Sequence, residues 1–234
     1  MAEKQVITEV VETNEAVDKA KDFWASYSKP IIYVGSALIL LVGGWIGYKN
    51  LVKIPNENKA AEMLFPAEQL FGKMVQTGFS KDSVNMVLNG GNGITGVLKV
   101  ASNYGSTAAG NRAHYLAGVC YLNSKDFNNA VKHLKDFSTT ATQVQAAAYG
   151  LLGDAYSELK KNDEALDYYK KAINHNPKDE FMTPEALFKA GLFAESIGKT
   201  KEAAEFFQRI KDEYSKSSHA QEADKYLARL GINQ

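Results

Sequence analysis

The chain has one cysteine, Cys120, in 234 residues. A lone thiol excludes an internal disulfide, and a position this far from the N-terminus excludes a lipid-modified anchor; the redox compartment stays open. The neighbours of Cys120 predict a packed helix, where thiols are buried and inert. Formal net charge is zero, and no run of Lys and Arg breaks the mixture of signs. That excludes the basic footprint of a nucleic-acid binder. Alternating strand patterns are absent, which predicts an all-α molecule. The histidines at 114, 133, 175 and 219 have no second His or Cys three or four residues on. Asp136, Asp179 and Glu222 follow three of them at that spacing, and one acid with one His is a poor metal signal. No carboxylate pair or activated nucleophile stands out, so no enzyme, cofactor or metal is expected.

The most informative lack is charge between Lys29 and Lys49. The 19 residues from Pro30 to Tyr48 carry none. As a helix they reach roughly 28 Å, close to the hydrocarbon thickness of a bilayer. Tyr27, Tyr33, Trp45 and Tyr48 lie near the two ends, where amphipathic rings prefer the headgroup level. A core helix is seldom apolar all round for five turns. A cleaved signal peptide is disfavoured too, because the preceding segment is long and carries six acids against four lysines. Residues 30–50 therefore read as a single-pass transmembrane helix. Lysines flank both ends equally (Lys19, Lys21 and Lys29 against Lys49, Lys53 and Lys59), so charge does not orient it. Gly43-x3-Gly47 offers a face on which a second membrane helix could pack closely; glycine abundance in membrane helices is the plainer explanation.

The remaining boundaries follow from composition. Residues 1–29 form a polar tail with a weak helical stripe, read either as an interfacial amphipathic helix or as a disordered segment. Residues 51–58 read as a linker with Pro55, and 59–234 as one helical domain. Its first part, 59–104, is expected to be a divergent helix pair: about Lys59 to Gln76, then about Ile94 to Tyr104, with a glycine-rich loop between. Helix hairpins follow at about 111–142, 146–179 and 184–216. A helix at 217–231 closes the array, with Ala220, Ala223, Tyr226, Leu227 and Leu230 inward and Gln221, Glu222, Asp224, Lys225 and Arg229 outward.

Two short motifs are set aside. Gly91-Asn92-Gly93-Ile94-Thr95-Gly96 spells a dinucleotide fingerprint, but there is no strand before it and no acid about 20 residues beyond. Ser157-Glu158-Leu159-Lys160 spells the start of a penicillin-binding serine motif with none of its companions.

The clearest internal signal is Tyr149-x2-Leu152-Gly153-x2-Tyr156, followed by Ala165-x3-Tyr169, Ala172 and Pro177. It resembles the tetratricopeptide repeat, with the spacing kept at every signature position, Tyr149 replacing the usual Trp and Tyr169 the usual Phe. Gly153 and Ala165 are small where two antiparallel helices press closest, and Asn176-Pro177 stops the second helix. Degenerate copies flank it. One is His114-x2-Ala117-Gly118-x2-Tyr121 with Ala130-x3-Leu134; the other is Leu187-x2-Ala190-Gly191-x2-Ala194 with Ala203-x3-Phe207. The resemblance implies an α-solenoid whose inner face is lined by the first helix of each hairpin. In this register the inward residues include Arg112, Tyr115, Val119 and Leu122, then Ala147, Gly150, Asp154, Ser157 and Glu158, then Glu185, Phe188, Leu192 and Glu195. Such a face suits apolar polypeptide segments, although Tyr115, Phe188 and Leu192 fit equally well as core. Repeats that clamp a C-terminal carboxylate use Lys and Asn there. This chain has Tyr115, Val119, Leu151 and Glu185 at those positions, with Lys189 alone in place, which argues against a clamp.

Taken whole, the chain is similar to the YfgM-like family of bacterial inner-membrane repeat proteins. The order of tail, anchor, Met63-Leu64-Phe65-Pro66-Ala67-Glu68, Ala113-His114-Tyr115-Leu116-Ala117-Gly118 and Tyr214-Ser215-Lys216-Ser217-Ser218-His219-Ala220 carries that resemblance. It implies an N-terminus in the cytoplasm and repeats in the periplasm. It also implies partnership with the SecYEG translocon and a PpiD-like membrane-anchored chaperone, and non-catalytic help to emerging polypeptides. A scaffold subunit of a larger envelope complex, and an import receptor with cytosolic-facing repeats, are the alternative expectations.

Overall fold

The computed structural model describes residues 2–232, with side chains from Val17 onward. The chain divides into two compact units, residues 1–55 and 56–234.

In the first unit, helix α1 (Ala2–Tyr48) runs through the polar tail and the uncharged segment without a break, Pro30 included. The apolar side chains of the uncharged segment, among them Ile39, Leu40 and Leu41, are exposed. Nothing among the described residues covers them, and so much apolar surface is costly to leave in water. Among the described residues this is the one stretch long and apolar enough to cross a membrane. Adding a Cβ at Gly43 or Gly47 meets no atom within 4 Å. The expected linker is helical instead. A π-helical turn spans Lys49–Lys53, and the Ile54 amide donates to the Lys49 carbonyl, five residues back. Pro55 comes next. It has no N–H to donate, and its ring crowds the carbonyl four residues back, so a widened turn is a physical accommodation for it.

The second unit is all-α apart from one tiny hairpin, and its helices stack as a solenoid of the kind expected. Helix α2 (Ile54–Thr77) buries Ala60, Leu64, Ala67 and Met74 on one stripe. Two expectations for 59–104 need correction. A helix missing from the sequence reading, α3 (Lys81–Asn89), is capped by Ser80, whose hydroxyl accepts from the Ser83 amide. Its three buried residues, Val84, Val87 and Leu88, are too few for a strong periodic signal. The glycine-rich loop is a hairpin of β1 (Gly90–Gly91) and β2 (Ile94–Thr95), paired antiparallel with Gly91 opposite Ile94. Asn92 and Gly93 turn it with φ of 51° and 81°. Positive φ at both central residues is the twist-matched two-residue turn that Asn-Gly favours. Helix α4 (Val97–Tyr104) consequently starts three residues later than the expected Ile94, and its closest neighbour is α5.

Helices α5 (Ala108–Asn123) and α6 (Phe127–Asp136) form one hairpin, α7 (Thr142–Glu158) and α8 (Asn162–His175) the next, and α9 (Met182–Ser196) and α10 (Thr200–Glu213) the third. Helix α11 (Ala220–Arg229) closes the series. The start of α5 is held from outside: the Glu57 carboxylate of α2 accepts from the amides of Ala108 at 2.8 Å and Ala109 at 3.1 Å. Those amides have no partner within their own helix, and a carboxylate there also meets the positive end of the helix dipole.

The same joint recurs in each hairpin. A Cβ on Gly118 would stand 2.5 Å from Leu134, one on Gly153 2.6 Å from Tyr169, and one on Gly191 2.6 Å from Phe207. The bulky residue of the second helix rests directly on the bare backbone of the first. Ala130, Ala165 and Ala203, four residues before each bulky residue, have no exposed surface. The turns repeat as well. Asp126, Lys161 and Lys199 amides donate to the carbonyls of Tyr121, Tyr156 and Ala194, the six-to-one bond of a Schellman motif. The left-handed position is Lys125 (φ 62°), Lys160 (φ 59°) and Gly198 (φ 77°).

Two outcomes follow in urea denaturation of the 56–234 unit. Gly153→Ala, which must displace a ring in a filled core, lowers stability by about 1–3 kcal/mol. Lys160→Gly, which removes a Cβ from a left-handed residue, raises it by about 0.5–1 kcal/mol.

Candidate peptide-binding groove

The inner faces of α5, α7 and α9 meet in a cleft of about 190 Å³ lined by Tyr115, Ala146, Ala147, Gly150, Leu151, Tyr169, Ala172, Met182, Glu185, Ala186 and Lys189. Its floor is made of small residues. A Cβ built on Gly150 meets nothing within 4 Å, unlike the one on Gly153 a turn away. One helix therefore carries two glycines with opposite duties: one admits a ring from inside the protein, the other leaves room on the open side.

The charges at the rim are already partnered. Asp154 accepts from the Tyr169 hydroxyl at 2.8 Å and from Lys189 Nζ at 3.3 Å, tying α7, α8 and α9 together. Burial pushes the Tyr169 phenol far up, and the Asp154 carboxylate beside it adds to that, so it stays a donor. Glu185 lies 2.7 Å from Nε2 of His219. Lys189 is thus already paired with a carboxylate of the protein itself. A guest entering this cleft meets mostly apolar atoms and polar ones already engaged within the protein, an environment for an uncharged side chain.

The inward residues expected from the register divide into three groups. Tyr115 lines the cleft; it is half-buried, packs 5.0 Å from the Phe137 ring, and touches both apolar clusters of the unit. Val119 and Leu122 follow it along α5, half-buried, and Glu158 is exposed at the end of α7. Arg112 is turned towards α2, where its Nε donates to Glu68 at 2.8 Å. The third group needs correction. Phe188 stacks on His219 at 4.7 Å and meets Tyr226 and Phe207 edge-on at 5.4 and 5.8 Å. Leu192 packs into the same cluster. Glu195 is engaged by Arg229 through both Nε and Nη2. Phe188 and Glu195 face α11 and hold the closing helix, and Leu192 is packed on the core beside them. The closing helix was legible from its apolar stripe, but not the side of the array it closes.

Met182 and Ala186 were missed as cleft residues. Met182 lies three positions before Glu185, so extending the inward stripe back one turn would have found it. What holds that first turn in place is Asp179. Its Oδ1 accepts from the amides of Phe181 at 3.0 Å and Met182 at 2.8 Å, and its Oδ2 from Gln143 Nε2 at 2.9 Å. The Met182 amide, then Gln143, hold this carboxyl below its usual range. Cys120 is fully buried, and burial raises its thiol to about 12, so it plays no part at the surface.

With this geometry in view, comparison with known proteins is specific about the repeats. Residues 146–179 and 185–217 each match the tetratricopeptide repeat model. These segments are tetratricopeptide repeats. Among solved structures, the chain resembles the crystal structure of MamA protein, with a TM-score of 0.50 at 21% identity over 73% of this chain and 91% of that one. The likeness is one of fold. Among curated proteins, no sequence matches. Tetratricopeptide repeats are interaction modules, and the cleft lies on the face that they present.

Replacing Asp179 by Ala frees two amides at the start of α9 and the Gln143 side chain of α7, and lowers stability by about 1–2 kcal/mol. A carboxyl depressed in the folded state contributes stability that is present above its unfolded pKa and is lost as pH falls through its folded value. The acid limb of a stability–pH profile is accordingly shallower for Asp179→Ala than for the parent protein.

Proposed function

We propose that this is a membrane-anchored tetratricopeptide repeat protein that holds polypeptide segments by single apolar side chains in the α5–α7–α9 cleft, acting as a chaperone or adaptor without catalysis. The observation that carries the reading is the cleft itself: an open, small-residue floor between rim charges that are satisfied internally. Tyr115, Ala147, Gly150, Met182 and Ala186 make the contact; Val119, Leu122 and Glu158 extend it along the open face.

The resemblance to the YfgM-like family supplies the location: an inner-membrane anchor with its N-terminus in the cytoplasm, and repeats in the periplasm beside SecYEG and a PpiD-like chaperone. Physics favours that kind of site. A 190 Å³ cleft holds about one large side chain, so intrinsic affinity is low. Tethering beside a translocon exit raises the effective concentration to roughly millimolar, and weak contacts with fast release then suffice.

A photocrosslinker at Ala147 in living cells tests the reading. Many emerging polypeptides should be captured, and Gly150→Leu, which fills the cleft from a position with room for it, should reduce capture at least about fivefold while leaving the fold intact. One dominant folded partner would instead mark a scaffold subunit of an envelope complex. Digestion of the repeats by protease in spheroplasts, with protection in intact cells, is the expected topology; protection in both would place the repeats in the cytosol.

A further inference from the structure

Away from the cleft, the α5–α6 hairpin contains two imidazoles in direct contact. Nδ1 of His133 lies 3.2 Å from Nδ1 of His114, with ring centroids 5.1 Å apart. The residues are 19 positions apart on different helices, which is why the sequence shows them as isolated. His133 is buried, and the His114 side chain is only 16% exposed.

A bond between two ring nitrogens needs one to donate and the other to accept, so only one Nδ1 carries a proton. A first added proton can sit on Nε2 of the donor ring and leave the bond in place, strengthened by charge. A second must land on the accepting Nδ1. It removes the bond and sets two cations against each other within a half-buried site.

The other titratable groups around the pair are few. Asp136 of α6 places Oδ2 3.8 Å from His114 Nδ1 and favours its protonation. Lys132 of α6 opposes protonation of both rings. From α5, the Tyr121 ring stacks on His133 at 5.5 Å, and the neutral Cys120 thiol adjoins it in sequence. In the turn before α5, a Cβ built on Gly105 would stand 3.8 Å from His114 Nε2. Burial holds both imidazoles below their ordinary value near 6.5, with His114 pressing His133 further down.

We infer that the His114–His133 contact is a proton-operated latch on the first helix hairpin, closed while the pair holds at most one extra proton and opened by the second. The sign is set by linkage. With folded values below the unfolded one, the latch contributes stability above the unfolded value of 6.5 and loses it as pH falls through the folded values. Tyr115, the cleft wall on α5, is the residue next to His114, so opening the latch loosens that wall. This last consequence rests on the proposed peptide cleft; the latch does not.

The test uses the full-length protein in detergent micelles. Histidine-selective NMR should show two imidazoles titrating in separate steps, both below the roughly 6.5 midpoint of a free side chain. Hydrogen exchange of α5 and α6 amides, corrected for intrinsic rates and compared with α9 and α10, should accelerate by about tenfold or more between about pH 7 and about pH 5. His133→Asn keeps a hydrogen-bonding group near the Nδ1 position and cannot titrate, so it should abolish that selective acceleration. The latch is overturned if the two imidazoles titrate together near the free value. It is overturned equally if α5–α6 and α9–α10 lose protection in parallel in both proteins. If the variant fails to fold, the histidine titration of the parent protein decides alone. Peptide capture enters none of these readouts, so an empty cleft and a failed latch remain distinguishable.

Discussion

A bulky side chain resting on bare glycine backbone is the contact on which the helical unit depends. It occurs as Leu134 on Gly118, Tyr169 on Gly153 and Phe207 on Gly191. Interiors pack as densely as organic crystals, so there is no slack to absorb even one extra methyl at such a joint. Each joint fixes how close the two helices of a hairpin run and which faces they turn to the next hairpin. The Schellman turns at Lys125, Lys160 and Gly198 repeat with the joints, so every hairpin leaves its first helix in the same geometry. Stacking then follows, because no hairpin can bury its apolar face alone.

The open face is a by-product of that arrangement. On α7, Gly153 is closed by Tyr169 while Gly150 opens on the other side, and Asp154 ties Tyr169 to Lys189 across three helices. The polar groups near the cleft are spent on holding the walls. At the C-terminal end Phe188 and Glu195 receive α11, with Arg229 and His219 fixing its register. The open part of the inner face is therefore shorter than the three first helices would supply, with the cleft lined by α5, α7, α8 and α9. In the other unit, α1 carries an exposed apolar length sufficient to cross a membrane.

Much of this was legible where one residue type has one physical use. The uncharged run from Pro30 to Tyr48, the Gly153–Tyr169 spacing and the stop at Pro177 each point to one structure. The hairpins flanking residues 146–179 were legible from degenerate copies of the same signature, around Ala117-Gly118 with Ala130 and Ala190-Gly191 with Ala203. What stayed hidden depends on partners distant in sequence. The turn type of Asn92-Gly93 was masked by a misleading fingerprint, and α3 is too short to show a stripe. The π-helical turn before Pro55 answers a local backbone problem that hydrophobic periodicity does not register. His114 and His133 meet only because their helices are antiparallel, and nothing local in α9 says that α11 will cover Phe188.

Methyl-labelled NMR of the repeat unit, with alanine and methionine probes, tests the central claim most directly. Titration with an unfolded apolar polypeptide should shift Ala146, Ala147, Ala186 and Met182, and leave Ala203 and Ala204 of α10 and Ala223 of the closing helix unmoved. Perturbation centred on α10 and α11, or none at the α7 and α9 methyls at saturating polypeptide, would contradict an open, guest-holding cleft.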